Sequence, residues 1–142
     1  MTTFAPVALN AAVVSMLVDA GLPVSDLEDG RRKIFGGLHD KGELIGVVGV
    51  ELHLPVGLLR SLAVVQSHRG LGYSSVLVSH AEQMAAKEGI TELFLLTGTA
   101  APLFERCGYS HASRIDAPES ISRSAQFASI CPETAAFMVK HL

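Results

Sequence analysis

With 142 residues, 49% of them apolar and 18% charged, the chain is long and apolar enough for one domain with a real core and is not a disordered segment. Net charge is −3 and no dense Lys/Arg patch occurs, which argues against nucleic acid as a partner. No apolar run reaches the roughly 20 residues that span a bilayer, and the N-terminus lacks the basic segment and long apolar core of a signal peptide. No membrane partner and a cytoplasmic location are therefore expected, where Cys107 and Cys131 suit free thiols.

Phe4 to Val7 reads as a short first strand. Asn10 is placed to cap a helix through Ala20, with Val13, Val14, Leu17 and Val18 on one side and Gly21 as its stop. Leu22-Pro23-Val24 is a turn, after which Ser25 or Asp26 starts a short helical piece. Arg31-Arg32-Lys33 reads as a solvated strand entry rather than an anion site. Lys33–Leu38 and Glu43–Leu54 are two strands joined through Asp40-Lys41-Gly42, a hairpin with Gly available for positive φ. Glu51 and His53 alternate with Leu52 and Leu54, so both polar side chains face the same way. Pro55 and Gly57 break this strand, and a buried strand at Leu58–Val65 follows at once as its antiparallel neighbour.

Gln66 to Gly72 is a polar, glycine-rich turn. The helix after it carries Val76, Leu77, Ala81, Met84 and Ala85 at helical spacing and stops at Gly89. Glu92–Leu96 is a short buried strand; because a helix connects it to Leu58–Val65, the two run parallel. Thr99 caps a helix through Cys107, with Pro102 in its first turn and Gly108 at its end. Tyr109–Ile115 reads as a strand, Pro118 opens a brief helix containing Ile121, and Thr134–Leu142 is the last strand. An antiparallel start followed by strand–helix–strand indicates a mixed-sheet α/β domain.

The turn before the long helix is where chemistry is expected. It aims unpaired backbone N–H groups outward, and the helix dipole adds partial positive charge, so a pyrophosphate fits there. Arg69 adds a full charge, and glycine at 70 and 72 allows close approach. A plain strand–turn–helix with Gly for tight geometry is the alternative. A dinucleotide fingerprint, Gly70-x-Gly72-x-x-Ser75, lacks its third Gly, and no Gly-Lys-Ser/Thr of a P-loop occurs.

Arg69-Gly70-Leu71-Gly72-Tyr73-Ser74 resembles the acetyl-CoA signature of the GNAT N-acetyltransferase superfamily, Gln/Arg-x-x-Gly-x-Gly/Ala, with Ser74 where the family prefers Gly or Ala. The resemblance implies a single GNAT-like domain over residues 1–142: a mixed, mainly antiparallel sheet with a central parallel pair that splays apart, and flanking helices. It implies acetyl-CoA as co-substrate, with the backbone of Leu62, Ala63 and Val64 meeting pantetheine and the acetyl group. Arg69, Gly70, Leu71, Gly72, Tyr73, Ser74 and Ser75 would form the pyrophosphate loop. A second match, Leu103-Phe104-Glu105-Arg106-Cys107-Gly108-Tyr109, is similar to the family's "Tyr-Glu-x-x-Gly-Phe" segment. Phe104 replaces the tyrosine that often protonates the departing thiolate, so that role does not transfer to position 104. Gly21-Leu22-Pro23 with Asp26-Leu27, Leu59-Arg60-Ser61-Leu62, Leu95-Leu96-Thr97 and Gln126-Phe127-Ala128 with Cys131-Pro132 together resemble the N-acetyltransferases associated with arsenic resistance. Membership of that branch implies a small amine as acceptor, amino-acid-like or arsenic-containing.

Acetyl transfer to an amine needs the two reactants held in the right geometry, donors for the tetrahedral oxyanion, a base for the amine and an acid for the thiolate. Glu51 and His53 are the candidate bases and Tyr109 a candidate acid, each with an ordinary surface or core role as alternative. Arg60, a charge on an otherwise apolar strand, is a candidate for binding an acidic group of the acceptor, or else for a salt bridge to a neighbouring acid. Cys131 is either a buried inert thiol or an arsenic ligand, and the six histidines show no metal-ligand spacing, so no metal is expected. An N-acetyltransferase, able to exist as a homodimer, is the leading function. A GNAT-fold sensor or scaffold that binds acyl-CoA without turnover is the alternative, and a dinucleotide oxidoreductase a distant third.

Overall fold

A computed structural model describes residues 2–130 and 134–142, without the side chains of residues 129 and 130. Seven strands form one sheet: β1 (Thr2–Val7), β2 (Lys33–Asp40), β3 (Glu43–His53), β4 (Val56–Val64), β5 (Glu92–Thr97), β6 (Ser110–His111) and β7 (Ala136–His141). Their order across the sheet is β1-β2-β3-β4-β5-β7-β6. The β4–β5 pair is parallel, and the other pairings among the described residues are antiparallel. The parallel pair is a consequence of the long helix that connects those strands, since a crossover returns the chain in the same direction. The expected mixed, mainly antiparallel sheet with a central parallel pair is therefore present.

Helix α1 (Ala11–Asp19) begins where the sequence indicates, with Asn10 Oδ1 accepting a bond from the Val13 N–H at 3.0 Å. Its Val13 and Leu17 pack on Phe35, Val47 and Ala63 of one sheet face. Helix α2 (Tyr73–Lys87) lays Leu77, Val78, Ala81 and Ala85 on Ile45, Val48, Val50 and Leu59 of the other face. Each such Val, Leu, Ile or Phe side chain contributes about 1.5–3 kcal/mol on burial, so the sheet is fixed from both sides. Helices α3 (Ala101–Arg106) and α4 (Glu119–Ser122) are short, and α4 seats Ile121 on Val56, Leu58, Phe94 and Phe137.

Four local expectations need correction. Gly57 does not break a strand but lies within β4, where an added Cβ would come within 2.6 Å of Ile90 Cδ1 and 3.3 Å of the Glu51 carbonyl oxygen. Ser25 to Glu28 form turns rather than a helical piece. Thr99 does not cap α3; Thr97 Oγ1 instead accepts from the Ala100 N–H at 2.9 Å. The strand expected over Tyr109–Ile115 is only two residues long, Ser110–His111, with one further bond to β7 from the Ala112 N–H to the Phe137 carbonyl. The chain then turns through a 3₁₀ segment at Arg114–Asp116 and leaves Ile115 exposed.

Candidate active site

The central parallel pair opens into a wedge. Register between β4 and β5 runs from Val56↔Glu92 to Leu59↔Leu95 and goes no further, although β4 continues to Val64 and β5 to Thr97. A β-bulge accompanies the parting. Gly49 faces Arg60 and Val47 faces Ala63, so Ser61 and Leu62 together oppose the single residue Val48. Ser61 takes a left-handed conformation, φ 58°, uncommon for a residue with a side chain. The opened wedge is a cleft of about 590 Å³ between the Ser61–Val64 edge, the Leu95–Ala100 segment and the Gly21–Pro23 turn. Beyond Leu59 the edge of β4 has lost its β5 partner and faces this cleft.

The glycine-rich turn lies at the wide end. After a 3₁₀ turn at Gln66–His68, Gly70 (φ 77°) and Gly72 (φ 84°) both adopt the left-handed conformation that glycine enters without steric cost. The first helical bond at this end runs from the Val76 N–H to the Gly72 carbonyl, so the N–H groups of Tyr73, Ser74 and Ser75 point out of the helix. A Cβ built on Gly70 or Gly72 meets no atom within 4 Å, so a ligand has open access to this backbone. A depression of about 300 Å³ is lined here by Arg69, Gly70, Gly72, Ser74, Ser75 and Arg106. Arg69 is aimed by a 2.9 Å bond from its Nε to the Val64 carbonyl. Arg106, from the last turn of α3, adds a second cation; in the sequence it reads only as a basic residue suited to a helix C-terminus.

Leu62, Ala63, Val64, Arg69 and Ser74 line the cleft, and Gly70, Gly72, Tyr73 and Ser75 line the depression beside it; Leu71 lies between them in the same turn, its side chain exposed. Of the remaining predicted residues, Arg60 also borders the cleft, whereas Glu51, His53 and Tyr109 are placed elsewhere. Glu51 is fully buried, with Oε1 2.8 Å from His53 Nε2 and Oε2 3.3 Å from Arg60 Nη1. Glu51 and His53 sit opposite Leu58 and Val56, before the strands part, and neither lines the cleft. Arg60 is 4% exposed, and its fork is already filled: Nη1 and Nη2 bond the two Asp26 carboxylate oxygens at 2.5 and 2.7 Å, and Nε bonds Ser61 Oγ at 3.1 Å. The contact foreseen with an acidic group of the acceptor is thus made by Asp26, which is the salt-bridge alternative. Tyr109 is 4% exposed behind the cleft wall, its hydroxyl buried without a hydrogen-bond partner. Burial above all, and then the nearby negative charge of Glu82, pushes its phenol far above the ordinary range. Cys131 and Pro132 lie outside the described residues.

Phe104 does line the cleft, as do Ser61, Thr97, Thr99 and Gln126. Among the described residues, no carboxylate or imidazole lines it. Oxygens of Asp26, Asp29 and Glu51 come close enough to share a metal ion, but Arg60 and Lys33 already face them. No described helix is long and apolar enough to cross a membrane.

Comparison with known proteins agrees with this architecture. The sequence pattern described as "Acetyltransferase (GNAT) family" matches residues 15–109, more than half of the chain. The chain belongs to the GNAT acetyltransferase family. The GNAT match begins within α1, takes in the splayed pair, the glycine-rich loop and α3, and ends at Tyr109. An uncharacterized N-acetyltransferase of Chlorobaculum tepidum is 33% identical over 84 residues, 58% of this chain and 54% of that protein. Among solved structures, N-acetylglutamate synthase from Neisseria gonorrhoeae, complexed with coenzyme A and N-acetyl-glutamate, superposes with TM-score 0.80 at 19% identity. It covers all of this chain, which spans only 35% of the synthase. Rv2747 from Mycobacterium tuberculosis, in complex with CoA, gives 0.76 at 17% identity and 99% coverage of each chain. At these identities the likeness is one of fold.

Proposed function

We propose that this GNAT protein transfers the acetyl group of acetyl-CoA to the amine of a small acceptor. The observation that carries the reading is the continuity of two features: a strand edge freed of its partner beyond Leu59, and a loop of outward N–H groups beside Arg69 and Arg106. A pyrophosphate fits the loop, where helix N–H groups and two guanidinium groups balance its charge. A pantetheine arm, with amides of its own, fits the edge of Leu62–Val64 in place of the missing strand. The residues present suit acetyl-CoA as a co-substrate.

In the reaction the amine nitrogen attacks the thioester carbonyl, a C–N bond forms, the C–S bond breaks, and the electron pair leaves on sulfur as thiolate. A backbone N–H near Ala63 or Val64, both of which line the cleft, would stabilise the oxyanion. The leaving thiolate belongs to a class with pKa about 8.5, so it departs near neutral pH without a strong acid. Phe104 gives it no proton, and water does. With no carboxylate or imidazole among the described cleft residues, the acceptor enters as the free amine and its proton passes to water, helped by the hydroxyls of Ser61 and Thr97.

Gly21–Pro23 and Gln126 wall the side from which the acceptor would enter. The resemblance to the arsenic-resistance-associated branch supports an amino-acid-like or arsenic-containing amine. A cytoplasmic location and a homodimer complete the reading, to be tested by fractionation and sedimentation. The same lack of a carboxylate or imidazole, with Phe104 at the acid's position, favours a second reading: a sensor that binds acyl-CoA without turnover. CoA release from acetyl-CoA, screened over amino acids, phosphinic and arsinic amino acids and polyamines, separates them. Amine-dependent release supports the enzyme, binding without release supports the sensor, and no binding of acetyl-CoA ends both.

A further inference from the structure

We propose that Asp26 is a positioning residue for acetyl transfer: through Arg60 it fixes the bulge at Ser61, and with it the strand edge on which the thioester lies. The proposal rests on the acetyltransferase reading above and adds to it a residue that lies outside the cleft lining.

The bulge is the point at which β4 turns away from β5, and Ser61 holds it in a left-handed conformation. A non-glycine residue stays in so sparsely populated a region only where its surroundings over-determine it. The Arg60 side chain bears directly on that conformation. Arg60 Nε donates to Ser61 Oγ at 3.1 Å, while its two terminal nitrogens are clamped on Asp26 at 2.5 and 2.7 Å. Nη1 is also 3.3 Å from Glu51 Oε2, which anchors the guanidinium to β3. Asp26 is 3% exposed, Arg60 4% and Glu51 0%, so the planar fork has one orientation and water does not compete for it.

Asp26 also joins the walls of the cleft. It follows the Gly21–Pro23 turn, which lines the side facing the Ser61–Val64 edge. Gln126, from a third segment lining the same cleft, donates from Nε2 to Asp26 Oδ2 at 3.4 Å. The acceptor wall, the thioester wall and the Gln126 segment therefore meet at one carboxylate. Transfer depends steeply on the separation and angle of the two reactants, so a junction that registers those walls acts on the reaction itself.

Asp26→Asn keeps the shape of the junction and removes its charge; Arg60→Lys keeps a charge and removes the fork. Leu38→Ala, a buried β2 position away from the cleft, is the control for lost stability. In both junction variants kcat per folded molecule is expected to fall at least about tenfold, with the acetyl-CoA dissociation constant from calorimetry within about threefold of wild type. Leu38→Ala is expected to lose stability and keep kcat. The proposal is overturned if the junction variants keep wild-type kcat, or if affinity for acetyl-CoA falls in step with kcat. If Asp26→Asn does not fold, Asp26→Glu takes its place in the comparison. If the wild-type protein transfers no acetyl group, the function reading fails by itself, and backbone amide resonances then decide the junction. Shifts at Leu62 and Ala63 with Gly70 and Gly72 unmoved support it; unmoved Leu62 and Ala63 overturn it.

Discussion

Phe104 stands edge-on to Tyr109, ring centroids 5.6 Å apart at an interplanar angle of 73°. The ring without a hydroxyl faces the cleft, and the ring with one is sealed behind it, under Lys140 Nζ 5.7 Å from its centroid. Tyr109→Phe is therefore expected to leave kcat within about twofold and stability at neutral pH unchanged or slightly raised, since an unpaired buried hydroxyl is removed. The folded phenol is held above its unfolded value. Its contribution to stability is therefore intact below about pH 10, and is lost as pH rises from there toward the folded value. Alkaline unfolding should be shallower in Tyr109→Phe. A fall in kcat beyond tenfold in this variant contradicts the placement of Tyr109 outside the chemistry.

Gly72→Asp tests the loop. Nothing lies within 4 Å of a Cβ at this position, so no clash is introduced. The cost comes from a left-handed backbone, about 1–2 kcal/mol for a residue with a Cβ, and from a negative charge beside the helix N-terminus. Affinity for acetyl-CoA should fall at least about tenfold (about 1.4 kcal/mol) in a folded protein, by calorimetry. Unchanged affinity removes the loop from the binding site.

Arg106→Ala tests the cation that α3 contributes. A solvent-facing charge acts weakly and through a screened field, so the expected loss of acetyl-CoA affinity is only about two- to fivefold and shrinks further at high salt. Equal affinity at low and high salt, with and without the arginine, means the side chain does not face the phosphates.

Acid unfolding reports on Asp26. Burial pushes its carboxyl up, but the hydrogen bonds and charge of Arg60, helped by Gln126, outweigh this and hold it below the ordinary carboxylate range. A depressed folded value means that stability from this group is present above about pH 3.9, and is lost as pH falls through the folded value. Breaking a buried pair by removing one charge costs on the order of 3–5 kcal/mol. Asp26→Asn should be less stable by roughly that amount at pH 7, and the gap should close as the acid transition is approached. A gap that stays constant down to pH 3 contradicts the ion pair as the source of stability.

Features with a local cause were legible in the sequence. The Lys41-Gly42 turn has both residues at positive φ, 51° and 79°; Gly42 enters that region without steric cost, and Asp40-Lys41-Gly42 announces a turn there. The parallel pair follows from the helix between its strands, and the outward N–H groups from glycines ahead of a helix. Features made by distant partners were not legible. Arg60 is visible as a charge among apolar residues, but its partner Asp26 is 34 residues away on a segment with no periodic signal. Leu59-Arg60-Ser61-Leu62 carries no Gly or Asn to mark a left-handed bulge, which arises from tertiary clamping. Glu51 and His53 do share one side of β3, as alternation requires, yet alternation cannot say that this side is a sealed ion-pair cluster away from the cleft.

The central claim is that an acetyl group carried on CoA is moved to nitrogen on a small acceptor. Acetyl-CoA labelled with deuterium in the acetyl methyl group, incubated with the protein and the acceptor panel, and followed by mass spectrometry, tests it in one measurement. The prediction is a labelled amide of at least one acceptor, formed with stoichiometric free CoA and suppressed in Gly72→Asp. Acetyl-CoA bound by the protein with no labelled amide from any acceptor, or labelled amide formed equally well by Gly72→Asp, contradicts it.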